Sequence, residues 1–254
     1  MGLFSNIFGK KHVDEEVFRV PDGELVYAVG DIHGRADLLE KLLKKIFADI
    51  EAQAINSKVS LVFLGDYIDR GFHSKEVIDI LVRLQREMEN VVCLAGNHED
   101  MLLQFLDDPL SADIWLQVGG VAALASYGVY LPDAPETNDL VNASNQLGDV
   151  MPRGHVEFLR DLKEHYRIGD YYFVHAGVRP GVVLDAQLRE DKLSIRQEFT
   201  EARCQYGVKI VHGHSVVRSA ENLPNRIAID TGAFATGMLT AGVFSKDEVR
   251  FLAT

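Results

Sequence analysis

The feature that most constrains the fold of this chain is the way its apolar runs end. Three runs in the first half end in glycine followed by Asp or Asn: 25–29 before Gly30-Asp31, 59–64 before Gly65-Asp66, and 91–95 before Gly96-Asn97. Between them, apolar residues from Leu39 to Ile50 repeat at helical spacing, and a second helix is predicted to begin near Ser74. Strands that alternate with helices indicate a parallel βαβ arrangement and an α/β fold.

The rest of the chain divides into an insertion and a strand-rich half. From about 105 to 169 the alternation is lost, and turn-forming residues such as Pro132 and Pro135 indicate inserted helices and loops. Strands are predicted again at 171–174, 209–211, 226–229, 238–244 and 248–252, and the last two read as an antiparallel hairpin. We therefore expect a peripheral segment at 1–22 and a single domain over 23–254 that includes the insertion.

Charge and composition argue against several classes of protein. The chain has 254 residues and a formal net charge of −12, whereas a nucleic-acid coat or a basic membrane-surface protein needs a positive face. No run approaches the roughly 20 apolar residues that span a bilayer, so stable membrane insertion is not expected. Two cysteines without a recognisable export signal argue against a disulfide framework. We expect a cytoplasmic protein.

Side chains that bind metal ions follow the predicted strands. In open α/β sheets, ligands gather beyond the carboxyl ends of the strands, and two histidine motifs, at 175–177 and 212–214, follow two of the later runs. The donors are Asp31, His33, Asp66, Asn97, His175 and His214. This mixture of carboxylate, imidazole and amide suits Mn, Fe or Zn. Six donors are enough for two ions if one carboxylate bridges, and two ions about 3.5–4 Å apart can clamp an in-line displacement at phosphorus with a hydroxide nucleophile between them.

Some histidines are not assigned by their spacing. His212 and His214 are two residues apart and would face the same side of an extended strand, so the spacing does not tell them apart. Four histidines lie outside the motifs, and we expect them to be solvated: His12, His73, His155 and His165.

Taken in order, the motifs resemble those of the phosphoprotein phosphatase (PPP) family of metallophosphatases. They are Gly-Asp-x-His-Gly at 30–34, Gly-Asp-x-x-Asp-Arg-Gly at 65–71, Gly-Asn-His-Glu at 96–99 and the two histidine motifs. The chain is most similar to bacterial and phage-type members, which share Trp-Leu-x-x-Gly-Gly, here 115–120, and Ile-Asp-Thr-Gly-Ala, here 229–233. The resemblance implies a sandwich of central mixed β-sheets flanked by helices, with 23–254 as one metallophosphatase catalytic domain.

The resemblance also implies how the six donors are shared between two ions. The first ion would be held by Asp31 and His33, the second by Asn97, His175 and His214, and Asp66 would bridge them. Mn is the first choice, with Fe and Zn as alternatives. His214, and not His212, would be the ligand in the last motif.

Four more residues receive roles from the same resemblance. His98 would be the general acid that protonates the leaving group, and Asp69 would orient it. Arg70 would bind phosphoryl oxygens, since a guanidinium matches two of them at once. Arg196 would be the second arginine of the site, although relatives often have Trp where this chain has Ser194.

The implied activity is hydrolysis of phosphate monoesters. Expected substrates are proteins phosphorylated on Ser or Thr, with dual specificity as a variant, or small phosphorylated molecules; nucleic acid is not an expected partner. Diadenosine tetraphosphate hydrolases share the motifs and are the alternative, and Trp115, Tyr127 and Tyr130 of the insertion could stack on adenine. A non-catalytic phosphate- or metal-binding protein is a third interpretation, against which stands the complete set of motif residues.

Overall fold

Ten strands form two five-stranded sheets in the computed structural model, which describes residues 17–53 and 57–254. In chain order they are β1 (Glu24–Val29), β2 (Lys58–Phe63), β3 (Val91–Cys93), β4 (His165–Ile168), β5 (Tyr171–Val174), β6 (Lys209–His212), β7 (Glu221–Asn222), β8 (Arg226–Ala228), β9 (Thr240–Ser245) and β10 (Glu248–Ala253). The first sheet has the order β10-β9-β1-β2-β3 and the second β4-β5-β6-β8-β7.

Both sheets are mixed, which confirms the predicted fold class. β1, β2 and β3 are parallel, whereas β9 and β10 pair antiparallel at one side of the same sheet. In the second sheet β5, β6 and β8 are parallel, and the edge strands β4 and β7 are antiparallel to their neighbours. The parallel strands of both sheets are the ones that the motifs follow.

Ten helices surround the sheets in the described ranges. They are α1 (Ala36–Gln53), α2 (Ser74–Glu87), α3 (Asn97–Asp107), α4 (Ala112–Trp115), α5 (Val121–Ser126), α6 (Thr137–Val150), α7 (Arg153–Arg160), α8 (Arg189–Ser194), α9 (Gln197–Thr200) and α10 (Ala233–Thr236). A π-helical turn at Leu116–Gly120 joins α4 to α5. Each of the described helices is too short or too polar to cross a membrane.

The two faces of the first sheet belong to two different apolar cores. Leu25, Tyr27 and Val29 of β1 pack with α1 and α2 on one side. Val26 and Ala28, which point to the opposite face, pack against residues of the second sheet. A third, smaller core covers the outer face of the second sheet around Phe199 of α9. The sheets therefore lie face to face, with helices outside, and their parallel strands end along a common edge.

The structure differs from the sequence interpretation in three places. The last residues assigned to the insertion at about 105–169 form β4, an edge strand whose alternation His165 to Ile168 is weak because only Ile168 is buried. Residues 1–16 of the predicted peripheral segment lie outside the described residues, but Phe18 and Val20 from its end are buried between the sheets. His155, predicted to be solvated, is buried because its ring nitrogens contact the Tyr127 hydroxyl and the Asp79 carboxylate.

Candidate active site

Six parallel strand ends deliver polar side chains to the edge that the two sheets share. In the first sheet, Asp31 and His33 follow β1, Asp66 follows β2, and Asn97 and His98 follow β3. In the second sheet, β5, β6 and β8 are followed by His175, His214 and Asp230. Of these eight side chains, seven are buried and Asn97 is half-buried. The strand-end pattern of the sequence therefore does bring distant residues together.

Asp66 lies at the centre of this group. One of its carboxylate oxygens is 3.5 Å from His33 Nε2 and 3.8 Å from His98 Nε2, and the other is 3.3 Å from His175 Nε2. Two overlapping groups can hold a metal ion, with ligand atoms within 4.8 Å of one another: His33, Asp66 and His98, and Asp66, His175 and His214. Asp66 is common to both groups, and its bridging role stays a prediction.

The second group is completed by an amide. His175 Nε2 is 3.1 Å from Asn97 Oδ1 and 3.2 Å from His214 Nδ1, so the donor atoms of the three predicted ligands face one another. The other ring nitrogen of His175 contacts the main-chain oxygen of Leu64 at 2.8 Å, which orients the ring. His214 Nε2 is buried without a hydrogen-bond partner among the described residues. These side chains are arranged as ligands are, with nitrogens turned inward.

Asp31 lies at the same strand-end edge, and its role as a metal ligand stays a prediction. It is buried, but it belongs to neither of the two groups, and both its oxygens accept hydrogen bonds from the main-chain N–H of His214, at 3.2 and 3.0 Å. Asp230, which sequence reasoning did not single out as a site residue, is one of the charges that act on Asp31. The Ile-Asp-Thr-Gly-Ala motif contained the only signal for it, because its aspartate also follows an apolar run.

His212 and His214 turn out to be distinguishable by backbone conformation. His212 is the last residue of β6, whereas His214 has a φ of 59° and no longer follows the alternation of the strand. The His212 ring stands edge-on against Phe199 in the small outer core, 5.0 Å between centroids, and Nδ1 contacts the main-chain oxygen of Gly213. His214 points to Asp66 and His175 instead, so it is the histidine of this motif that reaches the site.

His98 is held by an aspartate that has a second partner. His98 Nδ1 is 2.5 Å from Asp69 Oδ2, and the same oxygen accepts a hydrogen bond from Trp115 Nε1 at 2.9 Å. Trp115 comes from α4 of the insertion and is 1% exposed. Burial lowers the pKa of His98, but Asp66 and Asp69 outweigh it and raise the pKa above its usual range. The protonated imidazole is therefore favoured beside Asp69.

The two predicted arginines differ in how close they come to the site. Arg70 is half-buried; its Nη2 lies 3.3 Å from His98 Nε2, and its guanidinium carbon lies 4.3 Å from the centroid of the Phe234 ring. Arg196 is exposed at the start of α9, and its charge is among those that lower the pKa of His214. Arg70 is thus in contact with the site, and Arg196 lies at its solvent side.

Glu99 organises the main chain around Asp66. Its carboxylate accepts hydrogen bonds from the N–H groups of Asp66 (2.9 Å), Tyr67 (2.7 Å), Ile68 (3.3 Å) and Gly96 (3.0 Å). The motif at 96–99 is thereby tied to the motif at 65–71, although the two are separate in sequence. Glu99 thus acts on the site through backbone geometry.

The charges of the site fit divalent cations. Burial raises the pKa of Asp31 well above its usual range, and Asp230 and Asp66 add to the effect. Burial likewise raises the pKa of Glu99 to about 7 and lowers that of His214 to about 2. Buried carboxylates that repel one another, next to the uncharged imidazole of His214, are donors that a divalent ion stabilises. The residues present therefore fit the ions that the sequence predicted.

The chain matches known phosphoesterases. Residues 25–222 match the family described as calcineurin-like phosphoesterase. A bis(5'-nucleosyl)-tetraphosphatase (asymmetrical) of Halalkalibacterium halodurans is 23% identical over 87% of this chain and 90% of its own length. A serine/threonine-protein phosphatase of Arabidopsis thaliana, BSL2, is 42% identical, but the match spans 28% of this chain and 7% of that protein.

Solved structures agree on the fold. A structure described as a putative diadenosine tetraphosphatase superposes with a TM-score of 0.58 at 21% identity, covering 94% of this chain and 98% of that one. A cold-active protein tyrosine phosphatase superposes with a TM-score of 0.61 at 18% identity, covering 92% and 78%. With the family match over most of the chain, the strand-end motifs and the histidine–carboxylate groups, the chain belongs to the calcineurin-like phosphoesterases, a family of hydrolases that act on phosphate esters and use divalent metal ions.

Proposed function

We propose that the chain hydrolyses phosphate monoesters with two divalent ions, Mn first among the candidates, and that its substrates are phosphoproteins. The observation that carries the proposal is Asp66, whose two oxygens face one histidine-containing group each. When bound, two such ions act as Lewis acids toward phosphoryl oxygens and make hydroxide available at neutral pH. His33 would serve one ion and Asn97, His175 and His214 the other. Asp31 would be a further ligand of the first ion.

The phosphoryl group is bound by the arginines in this proposal. The Arg70 guanidinium lies beside His98 Nε2 and is half-buried, so its N–H groups can reach two phosphoryl oxygens of a substrate above the ions. Arg196, at the exposed side, adds a second positive charge. Both would orient the substrate through its phosphoryl oxygens.

His98 is proposed as the general acid and not as a ligand. It lies in one of the two ligand groups, so its role needs a separate argument. Arg70 Nη2 is 3.3 Å from His98 Nε2, and a metal ion at that nitrogen would stand next to a guanidinium of like charge. Asp69 holds Nδ1, which leaves Nε2 to carry the proton toward a leaving oxygen. The raised pKa of His98 keeps that proton available near neutral pH.

Two features of the insertion favour a protein substrate. Of the three aromatic residues considered for adenine, Trp115 is 1% exposed and donates to Asp69, and Tyr127 is 7% exposed and contacts His155, so only Tyr130, at 76% exposed, presents a face for a base. A groove of about 640 Å³ begins at Asn97 and continues between α3 and α8, with Arg189 along its wall. An extended peptide around the phosphorylated side chain can lie in an open groove of this kind.

A dinucleoside tetraphosphate is the second candidate substrate. It is supported by relatives named bis(5'-nucleosyl)-tetraphosphatase, which match this chain over most of both lengths. Phe234, 37% exposed next to Arg70, is an aromatic side chain on which a base could stack. The metal and phosphate contacts proposed above would be the same for this substrate.

The experiment is phosphate release by Mn-reconstituted protein from a phosphoserine peptide and from diadenosine tetraphosphate at matched concentration. Asp66→Asn, purified in the same way, reports any contaminating phosphatase. Faster release from the peptide is the expected result. Faster splitting of the dinucleotide would move the substrate assignment to nucleotides, and equal background release by wild type and Asp66→Asn on every phosphoester would refute the proposed function.

A further inference from the structure

Phe234 stands against the proposed phosphate-binding arginine. The Arg70 guanidinium carbon lies 4.3 Å from the centre of the Phe234 ring, which is within the distance of a cation–π contact. The same ring meets His33 edge-on, with 5.4 Å between centroids and an angle of 85° between the ring planes. Phe234 therefore contacts one proposed phosphate ligand and one proposed metal ligand at the same time.

The other contacts of Arg70 leave its guanidinium loosely held. Arg70 Nε donates to the main-chain oxygen of Val118 at 3.4 Å, at the long end for a hydrogen bond. Its Nη2 lies 3.3 Å from His98 Nε2, which carries a proton in the proposed function and so does not accept a hydrogen bond from a guanidinium. The main-chain N–H of Arg70 is fixed more firmly, by the Gly119 oxygen at 3.2 Å. The backbone position is thus set by the insertion, and the Phe234 ring is a large side-chain surface over which the guanidinium lies.

Phe234 itself is well anchored. It belongs to α10, whose first residue, Ala233, is buried and accepts a hydrogen bond from Arg35 Nη1 at 3.1 Å. The turn before α10 is closed by Asp230, which accepts from the Gly232 N–H at 2.8 Å. A ring on an anchored helix can restrict a flexible side chain that packs on the ring, because the ring does not move together with that side chain.

We propose that Phe234 is a positioning residue that keeps the Arg70 guanidinium stacked so that its N–H groups face the phosphoryl oxygens. Stacking occupies one face of the planar guanidinium and leaves its edge, which carries the donors, free for an anion. Without the ring, Arg70 must lose more side-chain freedom when phosphate binds, which weakens binding. This inference rests on the proposed function, because it assigns Arg70 to the phosphoryl group.

The test compares two substitutions at Phe234 with a control. Phe234→Leu keeps an apolar side chain but removes the ring, and Phe234→Tyr keeps the ring. Phe72→Leu makes the same change at a phenylalanine that is 70% exposed and close to Arg70 in sequence. Mn-loaded proteins are titrated with inorganic phosphate as a competitive inhibitor, and KM and kcat are measured with an aryl phosphate.

Phe234→Leu is expected to raise the inhibition constant for phosphate and the KM about two- to fivefold, the range of an exposed cation–π contact, with a smaller change in kcat. Phe234→Tyr and Phe72→Leu should stay within about 1.5-fold of wild type. In an Arg70→Ala background, Phe234→Leu should have no further effect on the phosphate constant, because the partner is gone.

If wild type turns over substrate and its inhibition constant for phosphate equals that of Phe234→Leu, the positioning role is overturned while the proposed function stands. The same fold-change in the Arg70→Ala background would also overturn it, since the effect would then not pass through Arg70. Absence of turnover and of phosphate inhibition in wild type would instead reject the proposed function, so the two failures are told apart.

Discussion

The insertion contributes Trp115 to the site, and its hydrogen bond can be removed without emptying the core. Trp115 Nε1 donates to Asp69 Oδ2 at 2.9 Å, and that oxygen also contacts His98 Nδ1. Trp115→Phe deletes the donor and retains a ring that can pack on Phe105, whose centroid is 5.0 Å away. If Trp115 supports the acid, activity should fall along with stability; if it only fills space, stability alone should fall.

The expected losses of stability and of kcat in Trp115→Phe follow from the hydrogen bond between Trp115 and Asp69. A hydrogen bond to an ionised acceptor contributes about 1.5–3 kcal/mol, and the smaller ring adds a cavity cost of about 1 kcal/mol. The free energy of unfolding then falls by about 2.5–4 kcal/mol, which lowers Tm by about 5–16 °C for a chain of this length. The contribution of the hydrogen bond sets the upper limit for the decrease in kcat, because 1.5–3 kcal/mol corresponds to about 10- to 150-fold in kcat.

The pH dependence of the variant has a definite sign. Burial raises the pKa of Asp69, while His98 and then Trp115 lower it through hydrogen bonds. Loss of the indole donor therefore raises the pKa of Asp69 further. Because Asp69 must be ionised to stabilise the protonated His98, the acidic limb of the kcat profile should move to higher pH in Trp115→Phe.

The assay pairs Trp115→Phe with Tyr127→Phe, which also removes a buried donor, the Tyr127 hydroxyl 2.9 Å from His155 Nδ1, but far from the metal groups. Both variants should melt earlier in thermal unfolding. Only Trp115→Phe should lower kcat for an alkyl phosphate by about tenfold or more. A kcat within about twofold of wild type, with an unmoved acidic limb, would show that Trp115 only packs the insertion.

Three further predictions concern the general acid, the ions and the main-chain frame. His98→Asn should lower kcat strongly for an alkyl phosphate and less for an aryl phosphate, whose leaving group needs little protonation; steady-state losses of equal size would assign His98 to metal binding. Mn at about 100 times its dissociation constant should raise the Tm of chelator-treated protein by about 5–11 °C. Asp66→Asn should remove most of that rise, and a full rise in its thermal-shift curve would exclude Asp66 as the shared ligand. Glu99→Gln should cost about 2–4 kcal/mol in urea unfolding, because four main-chain N–H groups lose a carboxylate acceptor; a loss below about 0.5 kcal/mol would contradict that account.

The sequence predicted those features of the fold and of the candidate site that depend on local sequence patterns. Tyr171–Val174 was predicted with the bounds that the structure has, and β1 and β2 within one residue, because apolar runs that end in Gly-Asp or His-Ala-Gly are read within a few positions. The convergence of Asp66, His175 and His214 also followed, since carboxyl ends of parallel strands meet at one edge. These inferences need only the direction and the ends of the strands.

What could not be predicted depends on partners far apart in the chain. The bond from Trp115 to Asp69 joins residues 46 positions apart, and the contact from His155 to Asp79 spans 76. No pattern around His155 distinguishes a solvated histidine from one enclosed by α2 and α7. The contact of Phe234 with Arg70 was missed for the same reason, because it depends on how α10 returns to the site from the second half of the chain.

Backbone strain is concentrated in the candidate site. Of the six non-glycine residues with positive φ in the described ranges, five carry candidate site side chains: His33, Asp66, Asp69, Arg70 and His214. Each such conformation costs on the order of 1 kcal/mol or more and persists only where the surroundings enforce it.

Main-chain contacts between two of the motifs surround these residues. The N–H groups of Ile32 and His33 both donate to the main-chain oxygen of Asp66. Gly34 and Gly71 pack so closely that a Cβ on Gly34 would stand 2.3 Å from the main-chain oxygen of Gly71. The motif glycines are therefore required where two strand-end loops cross, and their closeness holds the left-handed residues in place. The fold itself therefore enforces the left-handed conformations that place the side chains of His33 and Asp66.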